Sequence, residues 1–352
     1  MEQEKRIALE NELLRYSGRI DKSNGESCCF VFPYSSVSFR IKAAKLSILV
    51  ENLHAYWENS IGFIIDGKQS MVKLSNEKSE QRLVLMEEET AGVHDIMIFK
   101  RQDGCHYFCL KGIFLEEAGC LLPAEPLSKR RIEVYGDSVS AGEVSEAVEY
   151  AGKEDPVHEG EYSNSWYSYA AITARKLNAQ LHDIAQGGIA LLPGTGYFVE
   201  EKYVGMEEVY DKIQYNPVLG TVKKWDFSQY VPHVVIVAIG QNDKNPVDFM
   251  KEDFDGEQAL RWREHYKAFI RKLRGYYKNA YILLTTTILY HDANWDRAVE
   301  MVCESLGDAK IKHFLYQKNG VGTPGHVRIP EAEEMAEELA AYIESLEGVW
   351  EE

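Results

Sequence analysis

The sequence predicts a two-part α/β protein. An all-β sandwich comes first, followed by an α/β domain whose parallel sheet carries helices on both faces. Short β-rich runs separated by turn signals fill the stretch from Ser27 to Leu115. From Arg131 onward, apolar runs of strand length alternate with helical patterns. Between the two textures lie Pro123, Pro126 and the basic cluster Lys129-Arg130-Arg131. The length of 352 residues is more than one core usually serves. The expected domains are therefore 1–125 and 126–352.

In chain order, residues 1 to about 20 read as a short helix or a partly ordered arm. The expected strands then follow: Cys28–Phe32, Val37–Ile41, Leu46–Glu51, Ile61–Ile65, Met71–Leu74, Arg82–Met86, Ile96–Lys100 and Tyr107–Leu115. Asp66-Gly67 and Asp103-Gly104 mark turns. Val37-Ser38-Phe39-Arg40-Ile41 alternates apolar and polar, which fits a sheet with one dry face. So many short strands in one stretch point to a β-sandwich, specifically a jelly roll.

In the second half the expected strands are Ile132–Tyr135, Gln180–Ala185, Val234–Ile239, Tyr281–Thr286 and Ile311–Tyr316. Helices are expected over Trp166–Leu177, Gln258–Tyr277, Asp296–Leu306 and Pro330–Leu346. The last is the clearest: Pro330 suits a first helical position, and Glu331, Glu333 and Glu334 complement the positive helix start. Ala332, Met335, Ala336, Leu339 and Ile343 then line one face. Strands alternating with helices make a doubly wound sheet, which binds ligands beyond the carboxyl ends of its strands.

Composition excludes several classes of function. A net charge of -17 is the wrong sign for tracking a phosphate backbone, so no nucleic-acid partner is expected. No run approaches the roughly 18 apolar residues of a membrane span. The charged start MEQEKRIALENELLRYSG has no signal-peptide core, which gives a cytoplasmic expectation. Cys105-x-x-x-Cys109 has half of a metal-site spacing and no second half, so no metal and no cofactor are expected. The six cysteines read as reduced, mostly buried thiols, and adjacent Cys28-Cys29 make a poor disulfide pair. The oligomeric state leaves no mark on the sequence.

The carboxyl ends of the expected strands carry the chemistry. Ser138 follows the first, Ala185-Gln186-Gly187-Gly188 the second and Gly240-Gln241-Asn242-Asp243 the third. Gly322-Thr323-Pro324-Gly325-His326 follows the fifth. A hydroxyl, a glycine backbone, a side-chain amide and an imidazole are what acyl transfer needs. A serine is a weak nucleophile until a base takes its proton, and the oxyanion of the tetrahedral intermediate needs preorganised N–H donors. Each block alone is a common turn or cap; the four together, in this order, are specific. Asp137 and Asp243 either organise these loops or only bond their amides. Tyr197 and Trp295 lie in loops at the same sheet edge, where aromatic faces could stack on sugar rings or simply pack. The histidines other than His326 match no motif.

GDSVSAG, AQGGIAL, GQND and the late His326 resemble the four blocks of the SGNH (GDSL) hydrolases. YSGRID, DIMIFKR, SYAAITARKLNA and GTGYF resemble carbohydrate esterase family 2, over nearly all of the chain from Tyr16 on. The resemblance implies a jelly roll joined to a flavodoxin-like, three-layer α/β/α SGNH domain. It also implies removal of O-acetyl groups from mannan or xylan oligosaccharides. Carried over, Ser138 is the nucleophile and His326 the base and then acid. The Ser138 and Gly188 N–H groups and the Asn242 amide form the oxyanion hole.

Many SGNH enzymes place an Asp three residues before the histidine; here that position is Thr323. A Ser-His dyad is therefore expected, with a main-chain carbonyl orienting the imidazole and Asp292 or Asp308 as distant alternatives. The β-rich domain either binds glycan by itself or shapes the cleft, and the resemblance favours the cleft. The competing readings are an SGNH enzyme acting on other acyl esters and a non-catalytic carbohydrate-binding protein.

Overall fold

The computed structural model describes residues 4–199 and 202–351. The first part is a ten-stranded antiparallel arrangement built on two long strands, Ser36–His54 and Glu80–Lys100, which pair along most of their length. Each spans two of the runs expected as separate strands. Register shifts between Ala43 and Lys45 and between Leu46 and Ser47 bend the pair, so one strand serves both halves of the sandwich. The alternation is kept: Val37, Phe39, Ile41 and Ala43 are buried and form core with Phe30, Ile98 and Phe108.

Of the expected N-terminal helix or arm, residues 1–3 lie outside the described residues, and the rest holds short strands rather than a helix. Glu4–Ile7 pairs with His106–Glu116, Arg15–Ser17 pairs with the long strand at 36–38, and Ile20–Asp21 pairs with Cys28–Phe30. Sheet edges offered these segments backbone partners that local sequence cannot reveal. The expectation that all cysteines are thiols is also corrected. Cys29 and Cys109 face each other across Cys28–Phe30 and His106–Glu116 and form a disulfide. This takes Cys109 out of the Cys105-x-x-x-Cys109 pair.

The second part is a five-stranded parallel sheet of strands Arg131–Gly136, Gln180–Ala185, Val234–Ala238, Tyr281–Leu284 and Ile311–His313, in the spatial order 2-1-3-4-5. That is the flavodoxin-like order, whose switch point lies between the first and third strands. Helices Tyr169–Lys176 and Ile329–Glu344 cover one face, through Ala171, Met335, Ala336 and Leu339. Glu257–Tyr276 and Ala293–Leu306 cover the other, through Trp262, Tyr266, Phe269 and Trp295.

The two parts meet over a buried polar seam. Arg19, fully enclosed, ion-pairs with Glu133 at 2.9 Å and donates to Tyr135 Oη and to the carbonyls of Tyr210 and Lys212. Its guanidinium also lies over the Trp225 and Phe227 rings. Nearby, Tyr107 Oη accepts from the Tyr215 and Asn216 backbone N–H groups.

Candidate active site

Ser138 begins a single helical turn, Ser138–Ala141, directly after the first parallel strand. Asp137 caps it by accepting from Val139 N at 3.1 Å, and Gly142 closes it in the left-handed region at φ 75°. Asp137 is buried, and that burial pushes its carboxyl up to about 6. The Ser138 hydroxyl faces a cavity of about 700 Å³ that His326, Gly188 and Asn242 also line.

The loop after the second strand presents Gly188. Its carbonyl accepts from Tyr197 N (2.8 Å) and Phe198 N (3.0 Å), and its own N–H has no acceptor among the described residues. Its φ is +71°, and an added Cβ would lie 2.9 Å from Tyr197 Cβ, so both conformation and space demand glycine. Asn242 Nδ2 donates one hydrogen bond to Ile189 O at 3.0 Å, which fixes the amide and leaves its second N–H for a ligand.

The neighbours of Asn242 explain the rest of Gly240-Gln241-Asn242-Asp243. Gln241 Oε1 accepts from Thr287 N and Ile288 N. Asp243 accepts from Leu191 N, Leu192 N and Thr195 Oγ1, and burial pushes its carboxyl up to about 7. Asp243 and Asp137 thus bond the loop amides.

The orienting group of His326 corrects the dyad expectation. His326 Nδ1 lies 2.6 Å from Asp155 Oδ2, a carboxylate rather than a main-chain carbonyl. Asp155 comes from the loop between Ala151 and Asn164, far from the histidine in sequence. Its other oxygen ion-pairs with the buried Arg328 at 2.9 Å, and Arg328 also donates to the His326 carbonyl. Thr323, three residues before the histidine, accepts from Gly152 N at 3.0 Å and so ties the two loops together. Asp292 caps helix Ala293–Leu306 and Asp308 pairs with Arg274; neither reaches the site.

Burial alone would lower the His326 pKa, but Glu143, Asp155 and Asp137 outweigh it and raise the imidazole above its usual 6.5. Asp155, beside that imidazole and Arg328, is held below the usual carboxylate range despite its partial burial. No hydrogen bond joins Ser138 Oγ to His326, and such contacts often tighten only once substrate is bound.

Trp295 is corrected as well. Its ring is 1% exposed, packed against Trp262 and Phe249, with Nε1 donating to Asp248, so it has no free face for a sugar. Helix Ala293–Leu306 starts earlier than the sequence pattern indicates, which turns Trp295 inward. Tyr197 lines the cavity and is 58% exposed. Several lining residues belong to no motif: Tyr56, Trp57 and Asp103 from the β-rich part, and Glu143 and Asp155 from the catalytic part. Asp103 Oδ2 accepts from Gly187 N at 2.7 Å and Gln186 Nε2 at 2.6 Å, so the first domain grips the loop that carries Gly188. Three of the unplaced histidines have structural partners: His94 pairs with Asp66, His291 with Asp296, and His182 stacks on Tyr230.

A 2-1-3-4-5 parallel sheet with serine, glycine, asparagine and histidine along its carboxyl edge defines the SGNH class of hydrolase folds. Within that class, the chain is similar to family 2 carbohydrate esterases. Residues 16–124 match the family described as carbohydrate esterase 2 N-terminal. Cellulase/esterase CelE of Acetivibrio thermocellus is 28% identical over 96% of this chain and 40% of its own length. An acetylxylan esterase / glucomannan deacetylase of Cellvibrio japonicus is 27% identical over 68% of this chain and 64% of its own. The chain thus spans less than two thirds of either of these relatives. Among solved structures, a family two carbohydrate esterase from Clostridium thermocellum in complex with cellohexaose superposes with a TM-score of 0.78 at 26% identity, covering 96% of this chain and 99% of that one. A family two carbohydrate esterase from Cellvibrio japonicus shares the fold with a TM-score of 0.81 at 23% identity, over 99% of both chains.

Proposed function

We propose that the protein is a serine esterase that removes O-acetyl groups from hemicellulose oligosaccharides of the mannan or xylan type. The observation that carries this reading is the convergence of Ser138, His326, Gly188 and Asn242 on one cavity, with a carboxylate already bonded to the histidine. Ser138 Oγ attacks the acetyl carbonyl while His326 Nε2 takes its proton. The Ser138 and Gly188 N–H groups and the free N–H of Asn242 hold the oxyanion. The tetrahedral intermediate collapses, and His326 returns the proton to the departing sugar oxygen. Water, deprotonated by the same nitrogen, then releases acetate and restores Ser138. Asp155 keeps Nδ1 protonated and stabilises the imidazolium formed in each half-reaction.

The names of the relatives support a polysaccharide substrate, and the exposed Tyr197 ring at the cavity supplies a surface for a sugar ring. Acetate release from acetylated mannan and xylan oligosaccharides, followed by NMR, tests the reading. Ser138→Ala is expected to keep its thermal unfolding curve and to lose turnover by several orders of magnitude. Near-native turnover in that variant would sink the proposal.

A further inference from the structure

Just after the long strand Glu80–Lys100, two adjacent side chains of the sandwich reach two different loops of the catalytic part. Asp103 grips the Gly187 amide. Gln102 reaches the loop between Ala151 and Asn164, which carries Asp155. It is 2% exposed and stands behind the cavity wall rather than in it. Its Oε1 accepts from Ser60 N at 2.9 Å, which leaves Nε2 to donate to Glu58 O at 2.7 Å and to Gly160 O at a longer 3.4 Å. Glu58 N in turn donates to Glu159 O at 2.8 Å. Trp57 packs its ring near His158 of the same loop, with centroids 5.1 Å apart. Gly160 is fitted to this contact: its φ is +93°, and an added Cβ would lie 2.7 Å from Gln102 Nε2.

We propose that Gln102 is a positioning residue of the esterase reaction: from the sandwich it holds the loop that delivers Asp155 to His326. This rests on the esterase reading above, with Asp155 as the acid that orients the base. Between Ala151 and Asn164 the chain has no helix or strand of its own, so its course is set by what it touches. Thr323 ties its start through Gly152, and Gln102 and Glu58 tie it beyond Asp155. Asp155 is slung between these ties, and Pro156 directly after it disfavours helical backbone there. Removing the Gln102 amide leaves two carbonyls without that donor, and they regain one by turning the loop toward water. The 2.6 Å bond from Asp155 to His326 does not survive such a shift. A misplacement of about 1 Å can cost about 10²-fold in rate. Because Gln102 stands behind the cavity wall, its effect on the reaction passes through Asp155.

Gln102→Met cuts the tie from the sandwich side, and Gly160→Ala forces it apart from the loop side. Each is made in the full chain, alone and together with Asp155→Asn, and assayed on an acetylated mannan oligosaccharide and on 4-nitrophenyl acetate. In either variant kcat is expected to fall about 10- to 100-fold while KM stays within about twofold. Against the lowering by burial, Glu143, Asp155 and Asp137 raise the His326 pKa, so displacing Asp155 is expected to move the acidic limb of kcat/KM to lower pH. Once Asp155 is Asn, the same changes are expected to lower kcat by less than about twofold more. A lost folded fraction would act differently: it lowers kcat by the same factor with or without the Asp155 carboxylate and leaves the limb in place. Equal losses in the two backgrounds, an unmoved limb, or unchanged kcat in both variants overturns the proposal. Such results with a natural chain that turns over both esters leave the esterase reading standing; a natural chain that turns over neither removes both.

Discussion

Asp155 and His326 form a pair whose two halves arrive from separate loops, and Arg328 holds the far side of Asp155. As the proposed base, His326 works only as neutral imidazole. Its raised pKa therefore means that activity falls, as pH drops, above the usual histidine value. Asp155→Asn removes one of the charges that raise it. The acidic limb of the kcat/KM profile is expected to move to lower pH, while kcat falls by roughly 10²- to 10⁴-fold through loss of the tautomer lock. An unshifted limb would mean that the carboxylate does not govern the base. The two aromatic residues separate as cleanly. Tyr197→Ala is expected to raise KM for oligosaccharides without changing the unfolding midpoint. Trp295→Ala, emptying a filled core site, is expected to lose about 3–5 kcal/mol of stability in denaturant titrations. Ser138, Gly188, Asn242 and His326 were legible because each sits in a short block that follows a strand. Asp155 was not: it lies in AGKEDPVHEG, one acid among several in a loop without periodicity, and only the three-dimensional return of that loop gives it a partner.

The segment Arg15–Asp21 shows how an element can matter beyond its length. Local pattern made it part of an arm or helix; edge pairing makes it strand, and that conformation carries Arg19 into the seam between the domains. Replacing Arg19 by Met strands the Glu133 carboxylate in a dry interface. The expected loss is about 3–5 kcal/mol in equilibrium unfolding. The double variant Arg19→Met/Glu133→Leu should recover much of it; if the double variant is no better than the single one, the pair is not what the seam depends on. The parallel strands were the readily legible elements, since apolar runs flanked by turns leave little choice once both faces are covered. The long strands of the sandwich were each divided in two by the reading, because a bend within one strand and a turn between two carry the same local polarity.

At the scale of the molecule, the sandwich helps to line the cavity of the proposed active site. Tyr56, Trp57 and Asp103 line the cavity, and Asp103 fixes the amide of Gly187, one residue before the proposed oxyanion donor. Asp103→Ala, a change in the first domain alone, is expected to lower kcat about 10- to 100-fold through misplacement of that loop, with the fold kept by circular dichroism. Unchanged kcat would reduce the domain to a neighbour. The Pro and basic residues near 123–131 give the expected boundary between the parts, but the dependence of one part on the other leaves no such mark in the sequence. It is carried by side chains whose partners lie far away in sequence.

Gly187 has a consequence for how such a protein can change over generations. A Cβ there would stand 2.5 Å from Glu143 Oε2 and 2.6 Å from Asp103 Oδ2 at once. Every alternative residue brings that atom, so no single replacement is a small step. Two carboxylates from different domains have closed around the missing atom. Either could be exchanged while the glycine stays, but the glycine can leave only if both carboxylates shift. The order in which the site can be remodelled, by descent or by directed selection, is therefore set by one hydrogen atom.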